Sequence, residues 1–217
     1  MKSNNLKALI LGATGLVGGE LLIQLLKDDS FTSVTSLTRS PTGMNHPKLQ
    51  EEIVDFELLE NSSEFFKVDV VFCCLGTTIK KVKGDKNLFR KVDLDYPIAS
   101  AKLALSHKVK QFVLISSLGA DSDSSVFYSK TKGECEKELK NIGIERVHVI
   151  RPSLLSGHRK ESRPLEKISI LSMKFINPLL MADLKKYRSV DPKKVATVMI
   201  DLVKGRPKSH EIETLTF

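Results

Sequence analysis

A tyrosine and a lysine stand four residues apart, at Tyr128 and Lys132, shortly after a pair of serines. Residues at this spacing lie on one face of a helix, one turn apart, whereas Lys130 between them points away. A phenol ordinarily has a pKa of about 10, and a nearby ammonium favours its ionised form. Tyr128 could therefore donate or accept a proton near neutral pH, with Lys132 as the group that lowers its pKa.

The two serines, Ser116 and Ser117, end an apolar run that predicts a buried strand. A serine hydroxyl at a strand end can hold the carbonyl or hydroxyl oxygen of a substrate. Neighbouring residues on a strand point to opposite faces, so that only one of the two takes this role. Either serine could instead cap a helix or a turn. With Tyr128 and Lys132, the serines predict a Ser-Tyr-Lys catalytic site.

A glycine loop of spacing G-x-x-G-x-x-G lies near the N-terminus, between an apolar run and an amphipathic segment. A helix that begins in such a loop offers unpaired backbone N–H groups and positive dipole charge to a pyrophosphate. Gly12 would permit the tight turn, Gly15 the approach of the phosphate, and Gly18 close packing of helix on strand. The alternative is a glycine-rich turn without a ligand. We predict that a dinucleotide binds to Gly12, Thr14, Gly15, Leu16, Val17 and Gly18.

The second predicted strand ends at Arg39 and Ser40, with no carboxylate nearby. At this place an NAD site has an acidic residue for the ribose hydroxyl, whereas an NADP site needs a cation for the 2′-phosphate. The guanidinium of Arg39 suits a phosphate, and Ser40 adds a hydroxyl. The sequence therefore favours NADP(H) over NAD. The alternative for Arg39 is a solvated charge at a strand end.

Two further strand ends belong to the predicted binding cleft. Asp55 could accept a hydrogen bond from the adenine amine, or it could cap the following helix. Leu75 and Gly76 follow the fourth strand, at the carboxyl edge where doubly wound sheets bind their ligands, and are predicted to border the cofactor. The basic loop after them, 80–83, is better explained as solvated surface than as a substrate contact.

Strand and helix patterns alternate along the chain, which predicts an α/β fold with a doubly wound parallel Rossmann sheet and helices on both faces. We predict one domain, 1–217, in which 152–190 form a small C-terminal substrate-side layer. The predicted strands are Lys7–Leu11, Val34–Leu37, Ile53–Asp55, Val68–Leu75, Phe112–Ile115, Arg146–Ile150 and Glu211–Phe217. The predicted helices are Leu16–Lys27, Phe56–Phe66, Pro97–His107, Phe127–Lys140, Ile168–Met181 and Pro192–Val203.

Composition narrows the possible partners and the compartment. The net charge of +8 suits phosphate-bearing ligands, but the lysines are spread along the chain, so that nucleic-acid binding is disfavoured. The three cysteines have neither a disulfide pattern nor a metal spacing, which predicts free thiols in a reducing compartment and no metal site. No apolar run approaches the roughly 20 residues of a membrane span. We predict a cytoplasmic protein without membrane insertion, and a homo-oligomer is possible.

These motifs together resemble the short-chain dehydrogenase/reductase superfamily, and within it the atypical branch of the Tat-interacting oxidoreductase. The resemblance covers about residues 6 to 200. It is carried by Gly12-Ala13-Thr14-Gly15, Val54-Asp55-Phe56, Phe72-Cys73-Cys74-Leu75-Gly76-Thr77-Thr78, Val92-Asp93, Ser116-Ser117-Leu118-Gly119-Ala120-Asp121, Tyr128, Lys132-Gly133-Glu134, Arg151-Pro152 and Glu161-Ser162-Arg163-Pro164.

The resemblance implies NADP binding and a set of residues around the cofactor. That set is Thr14 to Val17, Arg39, Ser40, Leu75, Gly76, Tyr128 and Lys132, with Leu155 and Arg163 on the nicotinamide side. It also favours Ser117 over Ser116 as the catalytic serine. One departure stands out: the asparagine-alanine-glycine motif of ordinary members is replaced here by Cys74-Leu75-Gly76, so that a proton relay through that asparagine is not expected.

The sequence thus predicts an NADP(H)-dependent oxidoreductase that transfers hydride to or from a small carbonyl or alcohol substrate. A different class of function is an NADP(H)-binding regulatory or redox-sensing protein with little or no turnover, which the short segment after Pro152 would suit. A third is an isomerase or epimerase that uses the nicotinamide only transiently.

Overall fold

The structure is a computed structural model, and it describes residues 5–156, 189–205 and 212–217. The strands pair in a single sheet of order β3-β2-β1-β4-β5-β6-β7, in which all pairs are parallel except β6 with β7. The strands are β1 (Leu6–Leu11), β2 (Phe31–Thr38), β3 (Leu49–Ile53), β4 (Val70–Cys73), β5 (Gln111–Ile115), β6 (Arg146–Arg151) and β7 (Glu213–Thr216).

Helices cover both faces of the sheet, which confirms the predicted Rossmann-like α/β fold. They are α1 (Leu16–Lys27), a 3₁₀ segment (Phe56–Phe66), α2 (Lys86–Arg90), a π-helical turn (Lys91–Asp95), α3 (Tyr96–Ser106), α4 (Phe127–Asn141) and α5 (Pro192–Val203). α1 and α5 contribute to the apolar core on one face, and the 3₁₀ segment, α3 and α4 to the core on the other. The central strands are buried on both sides because each face is covered.

The strand order reverses between β1 and β4, and this reversal determines where a ligand can bind. The chain leaves β1 toward β2 on one side, whereas β4 continues the sheet on the other side. In sheets with such a reversal, ligands bind in a crevice outside the carboxyl ends of the strands on either side of it. The glycine loop follows β1, and the Leu75–Gly76 pair follows β4, so both lie at this edge.

Two predicted elements were wrong in place or in kind. The third strand is Leu49–Ile53 and not Ile53–Asp55, because this edge strand carries charged residues, Glu51 and Glu52, and has no apolar run to mark it. The predicted helix Phe56–Phe66 is a 3₁₀ segment with non-helical dihedral angles at Leu58 and Ser62. The predicted helix 168–181 lies outside the described residues, and the single-domain assignment stays a prediction.

Candidate active site

The glycine loop packs directly against the end of β4. Gly12 has a φ of +88°, the left-handed conformation that glycine adopts without strain. A Cβ atom at Gly12 would lie 2.6 Å from the carbonyl oxygen of Cys74, and one at Gly18 would lie 2.1 Å from the carbonyl oxygen of Gly12. Both positions therefore exclude a side chain, and the loop is held in a fixed shape between β4 and α1.

The start of α1 offers backbone N–H groups to the crevice. The helix begins at Leu16, and its N-cap residue, Gly15, provides no side-chain hydrogen bond to the first turn. Thr14 and Gly15 are exposed, whereas Val17 is buried in the core, so that only the backbone of Val17 can reach a ligand. An uncapped helix start with a bare glycine backbone is the arrangement that a pyrophosphate requires.

The ends of β2 and β3 place Arg39, Ser40 and Asp55 at one side of the crevice. Arg39 and Ser40 are exposed, and the hydroxyl of Thr38 donates to the carbonyl oxygen of Ser40 over 2.7 Å, which shapes the turn. Asp55 accepts the backbone N–H of Glu57 over 2.9 Å and caps the 3₁₀ segment. Of the two roles predicted for Asp55, the capping role is therefore present in the structure.

Tyr128 and Lys132 lie one turn apart near the start of α4, but in different environments. Tyr128 is 38% exposed and packs its ring against Phe89, with 5.7 Å between the ring centroids. Lys132 is only 5% exposed. At Gly133, α4 lies very close to the loop that precedes it. A Cβ atom at this position would lie 2.1 Å from the backbone nitrogen of Ser122. Only a glycine permits this close approach of α4 to the loop.

Lys132 is buried because it is paired with Asp93, a residue for which the sequence analysis predicted no role. The Nζ atom of Lys132 lies 2.8 Å from Oδ1 of Asp93, and the Asp93 side chain is 1% exposed. Oδ2 of Asp93 accepts the backbone N–H of Thr77 over 2.7 Å. A Cβ atom at Gly76 would lie 3.4 Å from Oδ1 of Asp93 and 3.7 Å from Nζ of Lys132, so Gly76 lies beside the ion pair.

The ion pair controls the charge of the lysine. Burial by itself lowers the pKa of Lys132, because it penalises the charged form. The neighbouring Asp93 carboxylate and the Tyr128 phenol act in the opposite direction, and the net pKa of Lys132 is raised above its usual range. Lys132 is therefore an ammonium at physiological pH, as a group that favours the Tyr128 phenolate must be.

The two serines have different surroundings. Ser116 is buried, and its hydroxyl donates to Glu136 on α4, whose carboxylate also accepts from Nη2 of Arg151 over 2.6 Å. Ser117 has a buried Oγ atom that finds no hydrogen-bond partner within the described residues. Ser116 thus belongs to a network that joins β5, β6 and α4, whereas the hydroxyl of Ser117 stands outside that network.

The remaining predicted contacts lie at the rim of the site or beyond the described residues. Leu75 is half-buried directly after β4. Leu155 forms an isolated parallel bridge with Val190, just before α5. Arg163 lies outside the described residues. In the part of the chain that the structure describes, no cluster of acidic, histidine and cysteine side chains could hold a metal ion, and no helix has the length and apolarity to cross a membrane.

The two serines should differ in what they contribute to stability. Replacing Ser116 with alanine removes a hydrogen bond to a buried carboxylate, and we expect this to lower the free energy of unfolding by about 1–3 kcal/mol. Ser117→Ala removes a buried hydroxyl that has no partner in the described part of the chain, and it should change that free energy by less than about 0.5 kcal/mol. Urea unfolding of both variants measures the difference. Equal losses in the two variants would contradict the assignment of Ser116 to the network.

Comparisons with known proteins agree with this architecture. A family model described as NAD(P)H-binding matches residues 12–205. Rat protein HTATIP2 is 40% identical over 169 residues, which cover 76% of this chain and 69% of the rat protein. Protein fmp52, mitochondrial, from Aspergillus niger is 34% identical over 167 residues, covering 73% and 70% of the two chains.

A solved structure, the enzyme WbmH of Bordetella bronchiseptica in complex with NAD+, has a TM-score of 0.70 at 17% identity. The match covers 92% of this chain and 72% of WbmH, and at that identity it is evidence for the fold alone. The family model and the two relatives confirm the resemblance that the motifs predicted. The chain belongs to the NAD(P)H-binding Rossmann family, together with HTATIP2 and fmp52.

Proposed function

We propose that this protein is an NADP(H)-dependent oxidoreductase that transfers hydride to or from a small carbonyl or alcohol substrate. The observation that carries the proposal is a partly exposed Tyr128 one helical turn before a buried Lys132, whose charge is balanced by Asp93. The Ser117 hydroxyl, which lacks a partner within the described residues, follows β5 at the same edge. A dinucleotide fits beside them, because the glycine loop leaves no room for side chains and α1 starts without a side-chain cap.

Each of the three residues has a separate task in this reaction. When bound, the nicotinamide supplies the hydride to the substrate carbon or accepts it. The Ser117 hydroxyl donates a hydrogen bond to the substrate oxygen and holds the carbonyl in position. The Tyr128 hydroxyl gives its proton to that oxygen during reduction and takes it back during oxidation. The Lys132 ammonium stabilises the phenolate that remains after the proton leaves.

The preference for NADP(H) rests on Arg39. Its side chain is exposed at the end of β2 and makes no ion pair within residues 5–156, 189–205 and 212–217. The carboxylate of Asp55, at the end of the neighbouring strand, is engaged in capping the 3₁₀ segment. A guanidinium with its donors free can bind the 2′-phosphate that distinguishes NADP from NAD.

The substrate is then a small molecule that enters from the side of Tyr128.

For the compartment we propose the cytoplasm, because two of the three free cysteines are buried and none forms a disulfide within the described residues. The fungal relatives, in contrast, are named mitochondrial.

Replacing Tyr128 with phenylalanine should abolish turnover without abolishing cofactor binding. The variant loses the proton donor, so that we expect kcat to fall by about 100-fold or more. Consumption of NADPH is followed with a panel of aldehydes and quinones, and NADPH binding is measured by fluorescence of the reduced nicotinamide. The matched control is Tyr96→Phe, because Tyr96 donates to Glu57 over 2.7 Å at the start of α3 and should leave kcat unchanged.

Full activity in the Tyr128→Phe variant would contradict the proposed mechanism. Tight binding of NADPH by the wild-type protein, with no turnover on any member of the panel, would instead support the regulatory function. Proton exchange between substrate and solvent without net oxidation of the cofactor would support an isomerase or epimerase.

Replacing Arg39 with alanine should reduce the preference for NADPH. Loss of charge-assisted hydrogen bonds to the 2′-phosphate should raise the Kd for NADPH by about 10- to 100-fold. The Kd for NADH should stay within about 2-fold of the wild-type value, because NADH lacks that phosphate. Isothermal titration measures both constants. The matched control is Arg146→Ala, an exposed arginine at the opposite end of the sheet strands, and equal weakening of NADH and NADPH binding would refute the role of Arg39.

A further inference from the structure

The ion pair beneath Tyr128 joins three segments of the chain. Asp93 lies on the π-helical turn, Lys132 on α4, and Thr77 in the loop that follows β4. The two oxygens of the Asp93 carboxylate have separate partners: Oδ1 faces Lys132 at 2.8 Å, and Oδ2 accepts the Thr77 N–H at 2.7 Å. The carboxylate is therefore held from two sides, and it in turn holds the lysine.

The π-helical turn places the carboxylate in the core. It lies between α2 and α3, and its residues Val92, Asp93 and Leu94 are buried, whereas Asp95 is exposed. A π turn inserts one residue into a helix, and such turns occur frequently at functional sites. The segment before it packs against the start of α4 through Phe89, whose ring contacts that of Tyr128. The same helical segment thus contacts Tyr128 through a ring and Lys132 through a charge.

The other titratable groups that face Lys132 are two thiols and a phenol. They are Cys73 at the end of β4, and Cys135 and Tyr128 on α4. Burial raises the pKa of Cys73 to about 11 and also raises the pKa of Cys135, so both thiols stay protonated. Within the described residues, Asp93 is therefore the anion that balances Lys132.

We propose that Asp93 is a positioning residue of the site: its carboxylate keeps Lys132 charged and in place, and the influence of Lys132 on Tyr128 depends on it. The inference rests on the proposed function, because it adds a residue to the same Ser-Tyr-Lys site. Without a counter-ion, a buried lysine favours the neutral amine, because burial penalises its charged form. The Tyr128 phenolate would then lose the cation beside it.

The composition of the chain allows a test that needs no substrate. The chain has no tryptophan and three tyrosines, Tyr96, Tyr128 and Tyr187. In a Y96F/Y187F background, the near-ultraviolet absorbance of tyrosinate reports the ionisation of Tyr128 alone. We expect D93N to raise the midpoint of this ionisation by about one pH unit or more. D93S, with a smaller side chain, should give the same result and provides a second replacement that can fold.

Two further variants separate the charge of Asp93 from a general structural effect. D93N/K132M should have the same raised midpoint as D93N, because the lysine charge is absent in both. D93E keeps a carboxylate and should bring the midpoint back toward the wild-type value. The matched control is D95N, an exposed aspartate on the same turn, which should leave the midpoint unchanged. Thermal unfolding confirms that each variant is folded.

A midpoint that stays the same or falls in D93N and D93S would overturn the proposal. If it rises in D93N/K132M, Lys132 keeps its charge without Asp93; if it does not rise there either, the charge of Lys132 does not act on Tyr128. This outcome is distinct from a failure of the proposed function. The titration involves neither substrate nor turnover, so it tests Asp93 even if the Tyr128→Phe experiment shows that the protein does not catalyse a hydride transfer.

Discussion

Lys132 and Asp93 are both almost fully buried, and their charges are tolerated in the core only because they are paired. Removing either partner would leave an uncompensated charge, which typically costs about 3–5 kcal/mol. The pair therefore restrains the elements that carry it, α4 and the π-helical turn. The Thr77 N–H extends the restraint to the loop after β4. Through this contact, the helix that carries Tyr128 is tied to the strand edge where the crevice opens.

The crevice itself depends on close backbone contacts. The loop after β1 lies against the carbonyl of Cys74, and α4 lies against the loop at Ser122, in each case at a glycine where a Cβ atom would collide with backbone. Backbone cannot move aside as a flexible side chain can, so these contacts fix the distances between the elements. One side of the crevice presents uncapped N–H groups, and the other presents Tyr128 and Lys132. In the proposed function, the first of these sides binds the phosphates and the second transfers the proton.

Local sequence signals predicted the central elements well and the edge of the sheet poorly. The bounds of α1 were predicted correctly, because a glycine loop precedes it and an amphipathic pattern runs through it. The edge strand β3 was misplaced, because a partly exposed strand with Glu51 and Glu52 has no apolar alternation. Asp93 was missed for a different reason: nothing in the local sequence shows that an aspartate in one helix reaches a lysine in another. Only the fold brings the two together, and only the fold distinguishes the bonded Ser116 hydroxyl from that of Ser117, which has no partner among the described residues.

In the proposed function, the glycine loop, Arg39, Tyr128 and Lys132 all serve one bound NADP(H) molecule. A crystal structure of the protein with NADP+ tests this claim most directly. We expect the pyrophosphate at the start of α1, the 2′-phosphate on the Arg39 guanidinium, and the nicotinamide ring beside Tyr128, with Lys132 still paired with Asp93. A nicotinamide ring bound away from Tyr128, or a 2′-phosphate that does not contact Arg39, would contradict the account.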